Sequence, residues 1–272
     1  HKTVSQNFQY IEKLIMSIED AVLIRDFEWN RRDPQAPIDI NNYNEKNIER
    51  KDPFTHLELL SFFEKHQQEI VDDLVANHAK ISDHLKTIEE TIIESSTKCA
   101  PQMRDYYYYW ERRIYNALVK MVLRALITLK CYYTRPPDKQ VGLFKVYAEY
   151  DNPLVNTIPP EVEIERTVTK IYKDVLELTK QFPRWKDESC LFPPMTANPN
   201  GGEDKQYKEQ YTFYQDINAN PVIFNIVAEI NDIIHKCQER IRLLKNLWQE
   251  KNKKLWDQKS KSQIDKMSDK NY

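Results

Sequence analysis

Six histidines and four cysteines are the residues of this 272-residue chain that could hold a metal or supply a nucleophile. A zinc site needs several such ligands brought to one point, signalled by paired cysteines or by histidines one helical turn apart. Here Cys99, Cys131, Cys190 and Cys237 lie far apart, and His78 and His84 fall on different faces of any helix that carries both. No metal ligands are therefore expected. A nucleophile needs an activating base beside its serine or cysteine, and Cys237 lies on an apolar seam where it serves as a small hydrophobe. Phosphate chemistry needs glycine-rich turns ahead of a helix, yet the chain has 3 glycines where average usage of about 7% would give roughly 19. Neither G-x-x-x-x-G-K-[ST] nor G-x-G-x-x-G occurs, so no catalytic or cofactor-binding residues are expected in this chain.

Three further groups of residues invite a functional reading. His78 sits on a helical seam and could fix register, although a partly buried histidine with a satisfied nitrogen is the favoured reading. Residues 106–110, four tyrosines followed by Trp110, could stack nucleic-acid bases, but a stacking platform needs a basic groove. Asp105 and Glu111 offset Arg112 and Arg113 here, which favours packing between helices with hydroxyls at the rim. The charge-rich stretch 245–261 is interrupted by Glu250 and Asp257 and reads as a solvated helix face. With 40 Lys plus Arg against 42 Asp plus Glu, no bulk field steers the chain to nucleic acid or membrane, and protein partners are the default. The scattered cysteines fit a reducing cytosolic compartment. The most apolar run, residues 114–129, contains Lys120 and Arg124, each costing about 2.5 to 3.5 kcal/mol at a span centre, so a buried protein helix is expected.

Prolines and capping residues divide the chain into the elements that must position these groups. A helix is expected over residues 3–30, with Phe8, Ile11, Leu14, Ile15, Ile18 and Val22 on one face, followed by a loop to residue 51. Asp52-Pro53 is read as the start of a helix to residue 96, a rod of roughly 65 Å. Its seam of Val71, Leu74, His78, Ile81, Leu85, Ile88 and Ile92 has heptad spacing. A broadly apolar third helix over residues 101–133 belongs in the centre of a bundle. Residues 141–150 and 154–158 read as two strands of a hairpin. A helix over residues 160–182 directs Val162, Ile164, Val168, Ile171, Val175 and Leu178 inward. The segment 190–204 carries two of the three glycines and reads as a loop. Asn220-Pro221 opens a last helix to residue 256 with the seam Ile223, Val227, Ile230, Ile234, Cys237, Ile241, Leu244 and Trp248, and residues 258–272 are expected to fray or connect onward. The fold class expected is mainly α, an elongated bundle of long helices with heptad seams plus one short β-hairpin. Opening on His1 without an apolar leader, the chain reads as an internal piece of a longer polypeptide.

The block Tyr109-Trp110-Glu111-Arg112-Arg113-Ile114-Tyr115, opening a long buried helix, resembles the tail region of axonemal dynein heavy chains. The resemblance continues in family order through strands at 143–158, Phe182-Pro183-Arg184-Trp185, a Ser189-Cys190 segment leading to Pro193-Pro194, Phe213-Tyr214-Gln215-Asp216-Ile217, and Asn220-Pro221. It covers roughly residues 105–256, with residues 1–100 matching in helical character and a longer loop at 196–208. The chain then divides into a helical bundle segment over 1–100 and a dynein-tail-like segment over 101–272, with the hairpin near 141–158 and the loop 190–208.

By this resemblance the chain is a non-catalytic segment that anchors a motor to the doublet microtubule and transmits force for ciliary beating. The inner-arm type is favoured over the outer. ATP and magnesium would belong to the ATPase of the full-length motor. Partners implied are dynein intermediate or light chains, with actin and calcium-binding light chains on inner arms, and the location implied is the cytoskeleton of a ciliary or flagellar axoneme. Packing or docking residues are expected at Trp110, Glu111, Arg112, Arg113, Tyr115, Arg184, Trp185, Cys190, Phe213 and Tyr214. Docking surfaces are sought at the aromatic block, the 190–204 loop and the outer face of the last helix. The rival reading is a passive helical scaffold or tether of spectrin-like or coiled-coil type, which internal repeats would favour and none is found.

Overall fold

The structure, a computed structural model, describes residues 2–24, 54–95, 103–134, 143–151, 154–185 and 212–268. Its elements are α1 (Lys2–Glu19), α2 (His56–Ser95), α3 (Met103–Thr134), β1 (Tyr147–Asp151), β2 (Leu154–Ile158), α4 (Glu161–Glu177), a 3-10 turn (Leu178–Gln181), α5 (Tyr214–Asn218) and α6 (Pro221–Ser268). Among the described residues the fold is mainly α with one antiparallel pair of strands, as the periodicity of the sequence indicates.

The organising element is α3. Trp110, Ile114, Ala117, Leu118, Met121, Val122, Ala125 and Leu129 are all buried, and Leu126 and Tyr132 widen the apolar surface beyond one stripe. A helix apolar over so much of its circumference must be covered from several sides, and α3 is packed by α1, α4, α5 and α6. Its polar residues reach α1 at the rim, where Arg113 pairs with Glu12 at 2.7 Å and Lys120 with Glu19 at 2.7 Å.

On α2 the seam is buried from Val71 through Ile88, and Ile92 is partly covered. Forty residues at 1.5 Å rise make α2 about 60 Å long. Asp52 and Pro53 lie outside the described residues. The helix is capped instead at Thr55, whose hydroxyl accepts from the Glu58 N–H at 3.3 Å while the Glu58 carboxylate accepts from the Thr55 N–H at 2.9 Å. This reciprocal box satisfies two donors that the first turn leaves open.

Other boundaries differ from the sequence pattern for identifiable reasons. The first helix stops at Glu19 rather than residue 30, because the chain turns to bury Leu23 and Ile24 while His66 Nε2 bonds the Val22 carbonyl at 2.9 Å. Val22 consequently points outward, 45% exposed. The first strand begins at Tyr147 rather than residue 141, since Leu143 is drawn into the core and the Lys145 N–H donates to the Phe54 carbonyl at 2.7 Å. The strands pair from Tyr147↔Ile158 to Asp151↔Leu154. On α4, Val168, Ile171 and Val175 are buried with Tyr172 and Leu176, whereas Val162 in the first turn is exposed.

The last helix continues to Ser268, past the expected end at residue 256. Asn220 Oδ1 accepts from the Val222 N–H at 3.0 Å, so the expected cap is in place. The seam on α6 is buried at Ile223, Ile230 and Ile234 but not at its far end, where Leu244 and Trp248 are 57% and 60% exposed. Cover ends near Arg242 and Lys245, which bond Glu161 at the start of α4 at 3.2 and 2.6 Å.

Candidate functional site

Glu111 is a charged residue at a seam position of α3, seven residues before the buried Leu118. Pro183 follows the 3-10 turn and makes a single bridge with Thr212, which sets Arg184 and Trp185 beside α5. Arg184 then enters the core as a two-pronged donor, Nε to Glu111 Oε1 at 3.2 Å and Nη2 to Oε2 at 2.7 Å. Its remaining nitrogen, Nη1, reaches Asp216 Oδ2 at 3.4 Å. The Trp185 backbone N–H adds a donor to Glu111 Oε1 at 3.1 Å. The Glu111 and Arg184 side chains are fully shielded from solvent and that of Asp216 nearly so. Burial pushes the Glu111 carboxyl above its ordinary range, and the guanidinium and backbone donor oppose that push.

An aromatic shell encloses the charges. Arg184 lies 5.7 Å from the centre of the Phe213 ring, a cation–π distance. His78 stacks on Trp185 at 6.1 Å and meets the edges of Phe182 and Phe213 at 5.7 and 6.5 Å. Tyr107 packs edge-on against Trp185 at 6.0 Å. His78 is thus fully rather than partly buried, and its Nε2 has no hydrogen-bond partner among the described residues, against the satisfied nitrogen expected. Burial lowers its pKa from 6.5 to about 4, so the ring is neutral at neutral pH.

Of the residues singled out from sequence, Glu111, Arg184, Trp185 and Phe213 meet at this point. Trp110 faces the other way and stacks on Phe8 of α1 at 5.8 Å. Arg113 also turns toward α1, while Arg112 is exposed. Tyr115 is buried, its hydroxyl accepting from Asn220 Nδ2 at 3.0 Å, and Tyr214 lies under Lys180 at 4.6 Å. Cys190 lies outside the described residues, as does the whole 190–204 loop. Asp216, Phe182 and the place of His78 in the shell were not anticipated as site residues. The available signal was the charge at 111 on an apolar seam, which requires a buried counter-charge from elsewhere in the chain.

The arrangement joins α2, α3, the turn after α4 and α5 at one sealed point, and its ionic groups are out of reach of a soluble substrate. A separate open groove between α2 and α4, about 260 Å³, is lined by Glu64, Gln67, Asp174 and neighbouring residues, with Lys170 paired to Asp174 and Lys180 to Glu177. No group of metal-binding side chains occurs among the described residues, and no helix there is long and apolar enough to cross a membrane.

The class so defined is a helical bundle pinned by an internal carboxylate–guanidinium–carboxylate cluster. No protein-family model matches the chain. It is 27% identical over 252 residues to the dynein-1-alpha heavy chain of the flagellar inner arm I1 complex of Chlamydomonas reinhardtii, covering 91% of this chain and 5% of that protein. It is 28% identical over 190 residues to the human dynein axonemal heavy chain 10, covering 70% of this chain and 4% of that one. Both relatives are axonemal dynein heavy chains, and the chain spans about 5% of their length or less.

Proposed function

We propose that this chain is a non-catalytic tail segment of an axonemal dynein heavy chain, of the inner-arm type, that helps anchor the motor to the doublet microtubule and passes force along its helices. The observation that carries the reading is the meeting of Glu111, Arg184-Trp185 and Phe213 at one buried point. These belong to three separate sequence blocks whose order resembles dynein tails, and the similarity to two axonemal heavy chains supports it. A force-bearing segment must resist shear. Long helices packed along seams do so because sliding breaks many contacts at once, and a buried arginine held by two carboxylates adds a lock at the junction of four elements. On this reading the segment acts in a ciliary or flagellar axoneme, with intermediate or light chains as partners and ATP chemistry elsewhere in the full polypeptide.

The test is to tag the full-length gene product, extract isolated axonemes with high salt and sediment the extract. The expected result is co-sedimentation with ATPase activity in a dynein-sized particle, lost when residues 110–115 are deleted. Sedimentation as a small particle without ATPase activity would overturn the reading in favour of a passive scaffold.

A further inference from the structure

The end of α6 presents an apolar stripe that its own bundle does not cover. The seam buried at Ile223, Ile230 and Ile234 continues without change of spacing into Leu244, Trp248 and Leu255, and Leu247 widens it. These four side chains are 49% to 61% exposed. Charge is uneven around the stripe. At about 100° per residue, Glu239, Glu250 and Asp257 project from the opposite face, with Arg242 and Lys253 in the same sector. Arg240, Lys251 and Lys254, all exposed, run along one border or within the stripe. Lys245 lies on the other border and Arg242 beyond it, and both are held by Glu161.

We propose that this stretch, from about Leu244 to Leu255, is a docking site for an acidic amphipathic helix of a partner protein. Two observations select that occupant. The stripe is the direct extension of a seam already packed against protein, and its alternation of three and four residues suits side-by-side helix packing. Lys251 takes the seam position between Trp248 and Leu255, inside the apolar face. Set into a lipid interface, that ammonium would have to reach back past the stripe to the headgroups, whereas a facing carboxylate on a partner helix would neutralise it in place. An apolar stripe is likewise a poor match for nucleic acid, which would be met by the charges alone. The inference goes beyond the tail reading and rests on the α6 surface, whatever motor or scaffold the chain belongs to.

The test uses the full-length protein in its native complex, with a photo-reactive residue at Leu244 or Leu247 and mass spectrometry of the adducts. The expected adduct is one protein segment with acidic residues flanking apolar positions three and four apart. Charge reversal at Arg240→Glu, Lys251→Glu and Lys254→Glu should lower its yield about tenfold, because rim and seam charges steer and hold the complex. The conservative set Arg240→Lys, Lys251→Arg and Lys254→Arg should keep the yield. An adduct with lipid, with nucleic acid, with a second copy of this helix, with another segment of the same polypeptide or with a basic segment would overturn the proposal. So would the absence of any protein adduct, or a yield indifferent to charge reversal.

Discussion

Arg184 is the residue on which two buried carboxylates depend. Glu111 and Asp216 have both left water, and a carboxylate so placed is tolerable only while its counter-charge is present. Replacing Arg184 with Met should therefore lower stability by about 3 to 5 kcal/mol, read as the shift of the urea midpoint. Exchanging all three residues together for apolar ones of similar volume should recover most of that loss, because the cost comes from the stranded charges. If the single and triple variants are equally unstable, the cluster matters for its shape and not for its charge. His78 makes the complementary case. Its folded pKa is depressed to about 4 while the unfolded chain titrates near 6.5, so the unfolded state binds the proton more readily. Its contribution is then fully present above pH 6.5 and is lost as pH falls toward 4. Between pH 7.5 and pH 5 the loss should be about 2 kcal/mol, and a His78→Phe variant measured beside the parent should lack that component of the pH dependence.

At the scale of elements, α2 owes its start to Thr55 and Glu58. Thr55→Ala removes one half of the reciprocal cap and should cost about 1 kcal/mol, with faster amide exchange confined to the first turn of α2. The same helix shows what the sequence pattern could and could not convey. Its seam was legible because burial follows a 3.5-residue period that only a packed helix explains, and the cap was legible too, since Thr55 and Glu58 have the T-x-x-E spacing of a reciprocal box, a signal that the reading of Asp52-Pro53 as the start did not use. The end of α1 was hidden for a different reason. Leu23 and Ile24 continue an apolar pattern, yet they are buried from a turn and not from a helix, a choice made by His66 some forty residues away. β1 was overextended for the same kind of reason, with Leu143 apolar because of the core and not because of a strand. In the site, Glu111 and Arg184 were legible as separate motifs. Their meeting was not, because nothing local to either residue encodes the other, and Asp216 carried no signal beyond its place in the Phe213–Ile217 block.

For the molecule as a whole, the decisive contrast lies along α6. Its first half packs on α3 and α4 and shares the core, whereas beyond Lys245 the side chains of Leu247, Trp248 and Leu255 face solvent. A helix that lacks a packing partner depends on intrinsic propensity, and in proteins most helical stability comes from the packing of an amphipathic face. Protection of the backbone amides should follow that division. In the first half, exchange should require opening of the shared core and approach the global unfolding free energy, while residues 246–268 should exchange through local fraying at a small fraction of it. Hydrogen exchange with mass spectrometry on the chain reads both halves in one experiment. Protection that rises sharply for peptides N-terminal to Lys245 and falls beyond it is the expected profile. Uniform protection along α6 would mean that the second half is stabilised by something other than packing, and the stripe at Leu244, Leu247, Trp248 and Leu255 would then have to be explained without an absent partner. In the assembled complex the same peptides should become slow to exchange, because a ligand that binds only the helical form stabilises it in proportion to its own binding free energy.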